Sequence, residues 1–137
     1  MDIAQRSRGS WTNEDQRWIG GGGRQNMPNR SIILERDLFP KTGRWAADVI
    51  PSGEPLGVIT ATGKYGPHDA AAADGRAVLR GHLFASRPID RNSTGDIGGA
   101  LFWSGEVITN YLPVVPPAGA NGRADVADHI AYVTHVV

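Results

Sequence analysis

Residues 51–84 read PSGEPLGVITATGKYGPHDAAAADGRAVLRGHLF. Two apolar runs, Leu56 to Thr60 and Arg76 to Phe84, are separated by Thr62-Gly63-Lys64, a polar alanine-rich loop and Asp74-Gly75. Short runs bounded by Gly, Pro and Asp are the signature of strands, because an amphipathic helix needs a longer stretch with a period of about 3.6 residues. Pro51-Ser52-Gly53 reads as a turn, since Pro presets one turn dihedral and Gly tolerates positive φ. Asp74-Gly75 between apolar flanks reads as a hairpin or tight turn on the same grounds. Alanines 70 to 73 are expected to form a single turn. The stretch decides for β structure with irregular loops.

Working outward, further candidate strands are Ile32 to Glu35, Trp45 to Ile50, Leu101 to Leu112 and Ile130 to Val137, with Lys41-Thr42-Gly43 and Gly98-Gly99 as breakers. One short helix is expected at Ala124 to His129, after Gly122 and before a β-branched run. Residues 1–30 differ from the rest: they hold seven apolar side chains and five Arg against three acids, and neither periodicity fits them. They also contain the four consecutive glycines Gly20 to Gly23, a run with high conformational entropy and no side chains to pack. The expectation is a mainly β domain over residues 31–137 preceded by an extended arm, residues 1–30, with a glycine linker.

Composition bounds the function classes. Val, Ile, Leu and Phe supply about 22% of residues, just above the roughly 20% below which strongly charged chains stay unfolded. Fourteen basic side chains balance fourteen acidic ones, so no self-repulsion opposes folding. That balance also argues against a general nucleic-acid binder, which would carry a basic stripe. The absence of cysteine excludes a disulfide scaffold, a Cys-ligated metal site and a thiol nucleophile. No apolar run approaches about 18 residues, so no membrane span is expected. The start MDIAQRSRGS lacks the apolar core of a signal peptide.

Candidate catalytic motifs fail on their chemistry. Gly20 to Gly23 has no Lys-Ser/Thr to reach a phosphate and no preceding strand, so it reads as a linker. Thr62-Gly63-Lys64-Tyr65 puts Tyr where a phosphate loop needs a metal-binding hydroxyl, and reads as a turn. Gly95-Asp96-Ile97-Gly98-Gly99 resembles the loop around a trypsin-like nucleophile, but Ile97 stands in the serine's place and cannot attack a carbonyl. His68, His82, His129 and His135 show no compact metal-ligand spacing. Asp74, Asp90, Asp96 and Glu106 cannot be paired across a cleft from sequence. No catalytic residue, metal or cofactor is therefore expected. Leu101-Phe102-Trp103 and Tyr111 to Pro117 offer more apolar surface than one small domain needs for its core. Part of it is expected to form an interface between copies, at Phe102, Trp103, Tyr111 and Pro113, with Trp103 either its anchor or a core residue.

The order of the pieces in the quoted stretch resembles the bacteriophage lambda head decoration protein family. Leu56-Gly57-Val58-Ile59 leads into Thr60 to Tyr65, then an Asp-x-Ala-Ala-x-Asp-Gly-like loop, Asp69 to Gly75, and a strand ending near Gly81. Tyr111-Leu112-Pro113 and the terminal run Ala131 to Val137 match more loosely, so the resemblance spans roughly Gly53 to Val137. It implies a small irregular, β-tulip-like fold that assembles as a homotrimer. Such trimers sit at local three-fold positions on the outer surface of the expanded phage head and clamp major capsid subunits together, without catalysis. The location implied is the virion, assembled in the host cytoplasm, with no nucleic-acid or membrane partner. On this reading the arm binds the capsid through Ile3, Trp11, Trp18 and Ile19, with Arg6, Arg8, Arg17 and Arg24 supplying charge. The arm is longer and more aromatic than the family's short polar start, and Arg87 to Gly99 looks like an insertion. The competing classes are a β-sandwich adhesin or carbohydrate- or protein-binding module, and a trimeric nucleotide hydrolase whose phosphate-binding Ser and terminal Gly-rich motif have no counterpart here.

Overall fold

Alternation of buried and exposed side chains begins at Arg30–Leu34, strand β1, where Ile32 and Leu34 are buried while Ser31 and Ile33 face outward. The computed structural model of the chain describes residues 14–20 and 28–134. The remaining strands are β2 (Val49–Ile50), β3 (Pro55–Val58), β4 (Tyr65–Pro67), β5 (Gly81–Leu83), β6 (Arg87–Pro88), β7 (Ile97–Phe102), β8 (Gly105–Ile108) and β9 (Ile130–Val133). The protein is mainly β, and among the described residues no α-helix occurs; the helical turns are of the tighter 3-10 type.

β1, β4, β3, β5 and β7 close in that order into a barrel, antiparallel at every junction except β1–β4. So few strands leave an interior only wide enough for side chains. Ile32, Leu34, Leu56, Leu83, Ile97 and Leu101 fill it, and Phe39, Ile50 and Ile89 extend this core toward the β2–β6 ribbon. Gly99, paired with Ile32, faces the same interior; a Cβ there would lie 3.1 Å from Leu83 and 3.2 Å from Leu34.

β7 separates two cores. Leu101 points into the barrel, whereas the next residue, Phe102, joins Trp18, Leu79, Val107, Val126 and Ile130 in a second cluster outside it. Over that cluster lies the parallel pair β8–β9. Residues 18–20 add to the free side of β8: Ile19 bridges Val107, Gly20 N–H donates to Glu106 O (2.9 Å) and Ile108 N–H to Trp18 O (2.7 Å).

Several expectations change. Residues 14–20 pack on the β domain rather than extending from it, because Trp18 finds an apolar site with a hydrogen-bond acceptor for its indole. The single strand expected over Leu101 to Leu112 breaks after Phe102, and β8 starts at Gly105, whose φ of 143° suits glycine. The strand expected over Arg76 to Phe84 shrinks to Gly81–Leu83, since Leu79 N–H donates to the Asp125 carboxylate instead of a ladder. Trp45 to Ile50 forms a 3-10 turn at Gly43–Trp45 and only the two-residue β2. The helix expected at Ala124 to His129 is a 3-10 turn, Arg123–Val126. Arg87 to Gly99, expected to be an insertion relative to the family, carries β6 and the first half of β7. The single turn over alanines 70 to 73 is present, closed by Ala72 N–H on Asp69 O at 2.9 Å.

Candidate functional site

The segment Tyr111 to Pro117 leaves β8 as a 3-10 turn, Thr109–Tyr111, and then follows the surface, since its prolines cannot donate to a ladder. Tyr111, Pro113, Val114 and Val115 are exposed, Val115 at 46%. Pro113 lies against Gly53, whose φ of 93° and missing side chain make room for it and for the Trp18 indole. The Arg17 guanidinium sits 4.5 Å from the Tyr111 ring centroid and forms two 2.9 Å bonds to Asp15. Those bonds hold the Asp15 carboxyl below its usual range. The result is an exposed apolar ribbon beside one ion pair, a surface of the kind that suits contact with another protein.

Beneath it lies a buried polar relay. Trp18 Nε1–H donates to Ser52 Oγ at 3.0 Å, and Ser52 Oγ–H to Phe84 O at 2.7 Å. His82 is fully buried, with Nδ1 2.9 Å from Gly53 O and Nε2 2.6 Å from the Tyr132 hydroxyl. Taking Nδ1 as the protonated nitrogen satisfies all three groups: it donates to the carbonyl, and Nε2 accepts from Tyr132. Burial pushes the His82 pKa down to about 4 and the Tyr132 hydroxyl up. Next along the chain from Gly53, Glu54, also fully buried, accepts from Arg44 Nε (2.7 Å) and Nη2 (2.5 Å) and from Trp45 Nε1 (3.4 Å). Burial pushes its carboxyl up, against the pull of Arg44. Of these groups His82, Glu54 and Ser52 are buried against their hydrogen-bond partners. Among the described residues no three His, Asp or Glu side chains cluster to hold a metal ion.

The expected site residues therefore separate. Trp18, expected as a capsid anchor, is buried in the second core and packs edge-on against Phe102 at 5.0 Å between centroids. A side chain with no exposed surface cannot anchor a partner, so that assignment is corrected. Phe102, expected at an interface between copies, is corrected for the same reason. Ile19 is half-buried against β8, while Arg17, Tyr111 and Pro113 are exposed together. Trp103 is half-buried, with Arg30 over its ring at 4.0 Å, His129 at 5.1 Å and its Nε1–H donating to Pro28 O at 2.8 Å. Ile3, Arg6, Arg8, Trp11 and Arg24 lie outside the described residues, as does His135. Sequence reasoning missed Asp48 as a hub: at φ 62° it accepts from both Lys41 and Arg91 at 2.9 Å, which hold its carboxyl low. A single Asp set between Trp45-Ala46-Ala47 and Val49-Ile50 was its one visible signal.

Among the described residues no helix is long and apolar enough to cross a membrane. No protein-family model, curated protein or solved structure matches the chain.

Proposed function

We propose that this chain is a phage head decoration protein that associates as a homotrimer on the outer surface of the expanded capsid and clamps major capsid subunits. The observation that carries the reading is the ordered run from Leu56 to Gly81, in which Gly57, Gly66, Gly75 and Gly81 hold positions that a larger residue would block. A Cβ on Gly57 would meet the Arg76 backbone at 2.6 Å, and Gly75 and Gly81 have φ of 113° and 156°. A motif order fixed by backbone crossings is harder to reach by chance than a set of common turns. The apolar ribbon Tyr111 to Val115 supports self-association, and the enclosure of His82 and Glu54 supports a binding rather than a catalytic role. A carbohydrate-binding module draws less support. The aromatic faces it would offer to a sugar are engaged, Trp103 by Arg30 and Tyr111 by Arg17.

The test is to mix the purified chain with expanded empty heads of the parent phage and examine them by electron cryomicroscopy and mass photometry. Three-fold density on the outer surface and a mass increase that saturates are expected. A folded chain that leaves the heads undecorated overturns the reading.

A further inference from the structure

β1 is paired along its whole length with β7, yet across its other edge, among the described residues, only Leu34 has a strand partner, Tyr65 of β4. Which groups face that open edge follows from the ladder. Phe84 N–H donates to Ala100 O, so Ala100 turns its peptide groups toward β5 and its neighbours Gly99 and Leu101 turn theirs toward β1. Their partners Ile32 and Arg30 bond to β7, leaving Ser31 and Ile33 with N–H and C=O directed to the open side. Of these four groups Ile33 C=O meets Tyr65 N–H in the β1–β4 pair, whose register also sets Glu35 N–H on Tyr65 O (2.8 Å); Ser31 N–H and C=O and Ile33 N–H have no pairing strand among the described residues.

Along this edge run two depressions that share Arg30 and Tyr65. One, of about 310 Å³, lies between Ser31 to Ile33 and Gly63; the other, of about 250 Å³, reaches Arg80, Trp103 and His129. Ile33 is 42% exposed beside the first. The second is cationic: among the described residues neither Arg30 nor Arg80 has a carboxylate within ion-pair distance. The acid present, Asp125, already accepts from Leu79 N–H (3.0 Å) and Asn121 N–H (3.2 Å).

We propose that the open edge of β1 receives an extended segment of the partner protein, which bonds to Ser31 and Ile33 as an added strand and places a carboxylate between Arg30 and Arg80. Unmet peptide groups on alternate residues are the pattern that strand addition satisfies, and side chains beyond the edge set which strand fits. Charge selects the occupant. Residues 1–30 of a second copy carry five Arg against three acids and are mismatched to this cationic end. An acidic extended segment of a capsid subunit is matched. The assignment rests on the decoration reading and adds to it a receptor edge within the β domain, separate from the arm.

Amide hydrogen exchange on the full chain, free and bound to expanded heads, tests it. Ser31 and Ile33 amides are expected to exchange fast in the free chain and about 100-fold slower on heads. Ile33→Pro removes one outward N–H and no bond to β7, and is expected to weaken head binding about 10-fold; Arg80→Glu is expected to do the same. Should the proline variant fail to fold, exchange on the unaltered chain and the Arg80→Glu affinity decide. Decorated heads with unchanged exchange at both amides overturn the added strand while the decoration reading stands. Protection that rises with protein concentration in the absence of heads assigns the edge to a second copy and overturns the proposed occupant. No binding of the unaltered chain to heads overturns both readings.

Discussion

Gly57 and His82 show how single residues set tolerances in this fold. Residue 57 lies where the chain after Asp74-Gly75 crosses β3, and the Arg76 carbonyl in the way is held by Asp69 N–H at 3.2 Å. Gly57→Ala is therefore expected to cost about 1–3 kcal/mol in chemical denaturation. Gly98→Ala, with open space around its Cβ, should stay within about 0.5 kcal/mol. For His82, burial lowers the folded pKa from 6.5 to about 4. The unfolded chain thus takes up a proton below pH 6.5 that the folded chain refuses until about pH 4, so stability falls as pH drops through that window. The loss should total about 3 kcal/mol and level off below it. His82→Gln should start lower and lack this slope. The difference between the two denaturation profiles isolates His82, because Glu54 titrates in both.

At the scale of elements, residues 14–20 belong to the β8–β9 layer. Beyond its bonds to β8, the segment is tied to the barrel by Gln16 Nε2–H on Phe84 O (2.7 Å) and by Glu14, which accepts from Ser86 N–H (2.7 Å) and Oγ–H (2.6 Å). Trp18→Ala empties a fully buried site and is expected to cost about 3–5 kcal/mol, read by urea denaturation. Deleting residues 1–26 removes the same indole and should destabilise the domain by a similar amount, whereas deleting residues 1–13 spares it. The contrast between the two truncations checks where the arm ends and the domain begins.

For the whole molecule, the exposed ribbon predicts concentration-dependent association. Sedimentation velocity should show trimers, and Val115→Asp should raise the dissociation constant about 10-fold or more while leaving the unfolding free energy of the monomer within about 0.5 kcal/mol of the parent. A chain that stays monomeric at high concentration, with no trimers on heads, would remove self-association from the proposed function.

What residues 51–84 determined by themselves was the β class, the turns and the placement of β3, because Pro, Gly and Asp restrict the backbone locally whatever surrounds them. Strand lengths were beyond local reading. β4, Tyr65-Gly66-Pro67, lacks the β-branched residues that mark a strand and forms because Val58 and Leu56 pair with it. Ile97 to Gly99 read as a loop since Gly98-Gly99 looks like a breaker, yet a five-stranded barrel needs a small residue between Leu34 and Leu83, and Gly99 meets that need. Trp18 and Phe102 looked like interface aromatics because burial is a property of what packs around a side chain, not of the side chain itself. The open edge of β1 was equally invisible, since whether a strand has one partner or two is fixed only when the chain closes, here with β1 meeting β4 at a single residue pair. The sequence set which conformations each segment could adopt; which groups ended enclosed and which stayed available to a partner was decided by the long-range pairing of the barrel.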